Sequence, residues 1–113
     1  MSDEYVMERI ERLMNTKLSD WSSKKMFGGN CIMVDDKMCF GTYKGGLMAR
    51  VAPEDIPALE KRTGASQMIH GGRPMTGYLF IEAIGFDADE DLEFWIDQCL
   101  AFNPRAKSSK KKK

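Results

Sequence analysis

Apolar residues recur at helical spacing near both ends of the chain. Toward the amino end, one stripe predicts a helix over about residues 3–16, consisting of Val6, Ile10, Leu13 and Met14. Toward the carboxyl end, the spacing of Asp87 and Glu90 predicts a capping box, and Asn103-Pro104 predicts the end of the clearest helix. The apolar face of this helix comprises Leu92, Trp95, Ile96, Cys99 and Leu100.

The region between these helices is broken into short extended segments by turn residues. It predicts an antiparallel meander of four strands at about 24–27, 30–34, 37–43 and 47–51. The breaks fall at Gly28-Gly29, Asp35-Asp36 and Gly45-Gly46, residues that tolerate tight turns. A two-residue turn at Asp35-Asp36 would place Ile32 opposite Cys39 and Cys31 opposite Phe40. The two thiols would then lie on opposite faces of the sheet.

The second half of the chain adds one short helix and further strands. A helix begins at Pro53 and closes at Thr63-Gly64, and extended segments follow at about 67–69 and 77–84. A glycine-rich connection, residues 70–74, joins them. This order predicts an α+β two-layer sandwich, an antiparallel sheet with helices at both ends and one short middle helix.

Composition restricts the class of protein. A chain of 113 residues with 42% hydrophobic content suits one domain, and no apolar run approaches the ~18 residues of a membrane span. The acidic start does not resemble a secretion signal, so we expect a cytoplasmic protein. The cysteines Cys31, Cys39 and Cys99 are odd in number and form no C-x-x-C, which favours buried free thiols over disulfides or zinc.

The charges are unevenly distributed although they sum to zero. Six of the 17 basic residues lie in a tail at 105–113, which leaves 11 basic against 17 acidic residues in a domain at 1–104. Without apolar residues the tail is expected to be disordered and to bind nucleic acid weakly and without sequence preference, or merely to improve solubility. The tail cations are Arg105, Lys107, Lys110, Lys111, Lys112 and Lys113.

Four further cations are candidates for binding an anion or a partner. Lys24 and Lys25 precede a glycine pair, and Arg50 and Arg73 lie near other strands. The alternative is that Arg73 caps backbone carbonyls and that the lysines are solvated strand flanks, which is the commoner role of surface charges. Neither Gly28-Gly29 nor Gly71-Gly72 completes a phosphate-binding loop.

Catalytic and metal-binding patterns are weak. His70 is the sole histidine and has no sequence pattern that supplies a nucleophile or further metal ligands. The acidic run around Asp89 suits a helix start, where carboxylates complement the dipole. We therefore expect no enzyme, no metal and no cofactor. The nine methionines fit either core filling or an adaptable binding surface.

Several motifs together resemble a known family. Lys-Lys-Met-Phe-Gly-Gly at 24–29, Lys37-Met38, the strand at 47–51 and Gly-Arg-Pro-Met at 72–75 are similar to the amino-terminal domain of the TfoX/Sxy family, over about residues 5–103. The resemblance implies a small α+β domain with a sheet like those of secretion chaperones. Its best-known members regulate natural competence together with a global transcription activator. They carry a second, helical domain not found in these 113 residues, so a stand-alone domain is expected.

Three functions follow as hypotheses. The first is a small intracellular regulatory or adaptor domain that binds another protein, in transcription or competence-like regulation. The second is a nucleic-acid-associated protein that uses the basic tail, and the third is a domain that binds a small anion or metabolite near Arg50 and Arg73. An uncovered edge strand could also pair two copies into a homodimer. No membrane partner is expected.

Overall fold

The computed structural model of the protein describes residues 3–17, 20–26 and 28–106. Its helices are α1 (Asp3–Met14), α2 (Ile56–Leu59) and α3 (Asp89–Phe102). The strands are β1 (Ser22–Met26), β2 (Gly29–Val34), β3 (Lys37–Tyr43), β4 (Gly46–Arg50), β5 (Ala65–His70) and β6 (Arg73–Ile81). Short 3-10 turns occupy Pro53–Asp55, Ala83–Phe86 and Asn103–Arg105. The predicted α+β class is confirmed, and no described helix has the length and apolar character to cross a bilayer.

The six strands form a single sheet in the order β1-β2-β3-β4-β6-β5, with every neighbouring pair antiparallel. The helices α1 and α3 contact β3, so one face of the sheet carries the main core. This core is built from both predicted apolar stripes and the inward residues of the central strands. Its largest fully buried side chains include Trp95, Phe40, Phe86, Ile10, Met14, Ile32 and Leu47.

The residues at the turns determine two of the hairpins. The first turn lies where the sequence predicts it, and the second lies one residue earlier in the chain than predicted. Asp35 and Asp36 both have positive φ, 56° and 62°, as a tight two-residue turn requires. The next turn was predicted at Gly45-Gly46, which is wrong, because Lys44 and Gly45 occupy it with φ of 49° and 81°. Gly46 instead lies in β4, where a Cβ would strike the Phe80 ring. The strand therefore needs that glycine, and Lys44 takes the left-handed conformation.

The predicted register between β2 and β3 is also wrong by one residue. Met33 pairs with Met38, but Ile32 pairs with Phe40, so β3 contains a bulge at Cys39. The extra residue lets Cys39 and Phe40 both contact the main core. Cys31 belongs to a cluster on the opposite face, and all three cysteines are free and buried. The predicted separation of the two thiols therefore holds.

Two predictions for the segment between β6 and α3 are wrong as well: the cap of the helix and the end of the strand. Asp87 and Glu90 do not cap the helix, which begins at Asp89 after an extended Ala88 without a side-chain cap. The strand predicted to reach residue 84 ends at Ile81, because a 3-10 turn intervenes. A backbone bond from the Gly85 N–H to the Glu82 carbonyl closes this turn, and the Glu82 N–H donates to the Gly64 carbonyl in the turn before β5.

The β5–β6 hairpin folds back over the sheet face opposite the helices. Its register shifts between Gln67 and Ile69, and Gly77 has a φ of 86°, so the hairpin bends in its middle. At its tip, His70 Nδ1 lies 3.0 Å from Tyr43 Oη. In a flat sheet β3 and β5 would be about 14 Å apart, so this contact requires the bend. It accounts for a second buried cluster of Cys31, Met38, Tyr43, Met48 and Met68.

Candidate functional site

The four cations predicted to bind an anion or a partner lie on three separate elements. Lys24 and Lys25 are adjacent on β1, and both are exposed. Arg50 ends β4, where its Nη1 donates to the Met38 carbonyl at 3.3 Å and its guanidinium lies 5.6 Å from the centre of the Tyr78 ring. Arg73 is exposed beside the turn of the β5–β6 hairpin. The lysine pair is therefore the only part of this set that a shared strand brings together.

The outer side of β1 is an open sheet edge. The strand pairs with β2 through five consecutive positions without a register shift, and no other strand of the described chain pairs with it. Its residues 22–25 are all exposed. The opposite edge, β5, contains the irregularity that bends its hairpin. A straight edge offers a better template for another strand than a bulged one, so β1 is the more receptive of the two.

The hydrogen bonds of β2 show which backbone groups of β1 point outward. The Asn30 N–H donates to Thr42 Oγ1 at 2.9 Å, so it points toward β3 and away from its partner Lys25. Because hydrogen-bonded and non-hydrogen-bonded pairs alternate in an antiparallel ladder, Ser23 is also in a non-hydrogen-bonded pair. The backbone N–H and C=O groups of Ser23 and Lys25 are thus directed to the open side of the edge.

The side chains of β1 add positive charge to both faces of this edge. Successive strand residues point to opposite faces, so Lys24 shares the face of its partner Cys31 and Lys25 lies on the other. Lys24 favours the thiolate of Cys31, but burial has the larger effect and raises the pKa of Cys31 to about 11. Burial likewise raises the pKa of Cys39 to about 12. Both thiols are therefore protonated and poorly nucleophilic at neutral pH.

These raised thiol pKa values predict a loss of stability in alkaline solution. The folded protein keeps Cys31 and Cys39 protonated, whereas the unfolded chain releases both protons above its ordinary pKa of 9.0. Their contribution is complete below pH 9 and is lost as pH rises toward 11 for Cys31 and 12 for Cys39. In this range each thiol lowers the free energy of unfolding by about 1.4 kcal/mol per pH unit.

Urea unfolding on both sides of pH 9 measures this slope. The control is Cys31→Ala, which removes one titrating thiol and leaves the others. We expect a shallower alkaline slope in the variant, whatever its stability at neutral pH. Burial also raises the pKa of Tyr78, and the Cys31 thiolate adds to this shift, so removing Cys31 makes the Tyr78 contribution to the alkaline slope smaller as well. Equal slopes would contradict the assignment to Cys31.

The other candidate residues that the structure describes contact groups of the protein itself. His70 contacts Tyr43, Asp89 accepts from Arg9, and no group of three or more histidine, cysteine or acidic residues in the described ranges could hold a metal. Arg105, assigned to the tail, lies in a 3-10 turn and pairs with Glu54 at 2.6 Å. This pairing holds the pKa of Glu54 below its ordinary value. Residues 107–113, which include all the lysines assigned to the tail, lie outside the described residues. Phe27 also lies outside them.

Sequence reasoning did not single out Arg9, the most deeply buried charged residue described. Its side chain is 3% exposed and lies on the same helical face as Val6 and Ile10. It donates to the Asp89 carboxylate through both Nε and Nη2, and to the carbonyls of Phe86 and Asp87. The signal in the sequence was its position within the apolar stripe of α1. Arg9 ties α1 to the beginning of α3, which makes its role structural.

The fold and its exposed charges define a class of protein. This is a small α+β domain with one antiparallel sheet, helices on one face and a straight, basic edge strand. A family model described as the TfoX N-terminal domain matches residues 13–103. The chain therefore belongs to the TfoX N-terminal domain family, as its motifs indicated. No curated protein matches it.

Proposed function

We propose that this chain is a regulatory or adaptor domain of the TfoX type that acts by binding another protein rather than by catalysis. The observation that carries the proposal is the β1 edge, where Ser23 and Lys25 direct backbone donors and acceptors outward. An extended segment added beside β1 would satisfy them, as in other cases of strand addition. Membership of the family supports a role in transcription or competence-like regulation.

The lysines of β1 define the chemistry of the partner. Lys24 and Lys25 are exposed on opposite faces of the strand, so an added segment would be flanked by positive charge on both sides. Opposite charges in cross-strand positions stabilise a pair, and like charges destabilise it. The partner segment is therefore extended and acidic. The three free cysteines suit a reducing compartment, so we place this interaction in the cytoplasm.

A homodimer formed through the same edge is disfavoured by the same charges. Pairing β1 with its own copy about an axis at the middle of the strand would place Lys24 opposite Lys24 of the second copy. Shifting the axis by one residue, to Lys25, places Lys25 opposite Lys25 of the second copy instead. Either arrangement sets like charges directly across the new ladder. An acidic strand meets no such penalty.

The test is titration of the protein with a short peptide that alternates glutamate with valine, followed by nuclear magnetic resonance of the backbone amides. We expect saturable shifts at Ser23 and Lys25. Ser23→Pro removes one outward N–H without breaking the ladder to β2, and it should weaken binding about tenfold, equivalent to roughly 1.4 kcal/mol. Reversing both lysine charges should weaken binding at least as much.

Matched controls separate strand addition from general charge attraction. Arg12→Glu reverses one exposed positive charge on α1 rather than on β1, and it should leave peptide affinity unchanged. A peptide that alternates lysine with valine should not bind. If Ser23→Pro binds as tightly as the unaltered protein, or if sedimentation shows a dimer that forms through β1, the proposal of an acidic partner at this edge is overturned.

A further inference from the structure

A second cationic site lies next to β5, at the sheet edge opposite β1. The turn that precedes β5, the 3-10 turn at Ala83–Phe86 and the first turn of α3 border an open cavity of about 300 Å³. It is lined by Lys61, Arg62, Thr63, Ile84, Gly85 and Asp91. The two turns that form its wall are in close backbone contact, because a Cβ at Gly64 would lie 3.0 Å from the Gly85 Cα. This contact fixes the relative position of the two turns that carry the lining side chains.

The guanidinium of Arg62 is held in place by aromatic rings. Its Cζ lies 3.7 Å from the centre of the Phe94 ring and 6.0 Å from that of Trp95. Trp95 is buried in the main core and donates its indole N–H to the Gly85 carbonyl at 3.3 Å, so this platform is anchored. A stacked guanidinium keeps its N–H donors in one plane at its edge. Arg62 is therefore orientated before any ligand arrives.

The donors of this stacked guanidinium are not consumed by the protein. The nearest carboxylate oxygen, Oδ1 of Asp91, lies 3.9 Å from Nη2, which is beyond hydrogen-bonding distance. Within the described ranges, the side chains of Lys61, Arg62 and Thr63 donate no hydrogen bond to another residue. Two cations and one carboxylate leave the cavity with a net positive charge. Ile84 lines the same cavity with 67% of its surface exposed.

From this arrangement we infer that the cavity binds an organic oxyanion, either a carboxylate or a phosphate ester. Its charged group pairs with the planar fork of Arg62, supported by Lys61, and its apolar part lies against Ile84. A guanidinium fork matches the two oxygens of such a group. The site is separate from the β1 edge and does not depend on the proposed partner. It assigns anion binding to residues other than Arg50 and Arg73, which the sequence had suggested.

Titration with inorganic phosphate, acetate and hexanoate, each at constant ionic strength, tests the inference and distinguishes the two anion classes. Constant ionic strength keeps general screening unchanged. The readout is the resonance of Arg62 Nε and of the amides at 61–64 and 84–85. We expect saturable shifts with phosphate or with the carboxylates. If the carboxylates bind, hexanoate should bind several-fold more tightly than acetate because its chain contacts Ile84.

Three substitutions give results in different directions. Arg62→Gln should reduce affinity at least tenfold, whereas Arg73→Gln, which alters an exposed arginine at the hairpin turn, should leave it unchanged. Asp91→Asn removes the carboxylate that competes for Arg62, so it should tighten binding several-fold. Shifts that fail to saturate with every probe, or equal affinity in the Arg62 and Arg73 variants, would overturn the assignment. So would an Asp91→Asn variant that binds more weakly, since it keeps both cations.

Discussion

Replacing Arg9 with methionine is expected to lower the free energy of unfolding by about 2–4 kcal/mol. Methionine keeps most of the apolar stem, so the loss comes mainly from the guanidinium. That group donates to Phe86 O at 2.9 Å, in a fully buried bond, and to Asp87 O at 3.1 Å. A buried carbonyl left without a donor costs about 1–3 kcal/mol. The pair with Asp89 adds less, because the Asp89 side chain is 64% exposed.

Urea unfolding followed by circular dichroism measures this effect, with Arg12→Met as the matched control. Arg12 lies in the same helix but is exposed, so its replacement should change stability by no more than about 0.5 kcal/mol. Arg9→Lys keeps the charge but has one nitrogen in place of the fork, so it should recover only part of the loss. Equal stabilities for the Arg9→Met and Arg12→Met variants would show that the contacts of Arg9 contribute nothing net.

Several features that depend on neighbouring residues were predictable from the sequence, although the Gly45-Gly46 turn and the cap of α3 were not. The apolar stripes of α1 and α3 follow from a 3.6-residue period, and the Asp35-Asp36 turn follows from residues that tolerate positive φ. The open edge strand could be predicted as an element, together with its lysines. Its position at the edge of the sheet could not, because strand order depends on pairings between distant segments such as β4 with β6.

Features that depend on distant contacts were missed. Arg9 bonds to residues 77 to 80 positions away, and no local pattern reports such a partner. The shifted register at Cys39 arises because a bulge turns two consecutive side chains toward one core. The oxyanion cavity likewise combines the turn before β5 with aromatic residues of α3. The sequence pattern predicts that Arg62 lies near a helix end, but it does not indicate that its guanidinium stacks on the Phe94 ring.

The two glycines of the Lys-Lys-Met-Phe-Gly-Gly motif are expected to respond very differently to alanine. A Cβ at Gly29 would strike the backbone carbonyl of Thr42 in the neighbouring strand, and backbone in a paired strand cannot move aside easily. We expect Gly29→Ala to destabilise the protein by about 3 kcal/mol or more, at the upper end of overpacking effects. It should also weaken the bond from Asn30 N–H to Thr42 Oγ1.

Gly28 provides the matched comparison, because its requirement is conformational rather than steric. Its φ is 79°, and a Cβ there would meet nothing within 4 Å. Gly28→Ala should therefore cost about 1–2 kcal/mol, and Gly28→Asn less, since asparagine tolerates the left-handed region. In thermal unfolding, Gly28→Asn should be the most stable of the three variants, Gly28→Ala intermediate and Gly29→Ala the least stable. If Gly29→Ala were the mildest change, β2 and β3 could not be packed as closely as this contact requires, and the register that directs the Ser23 and Lys25 backbone outward would lose its support.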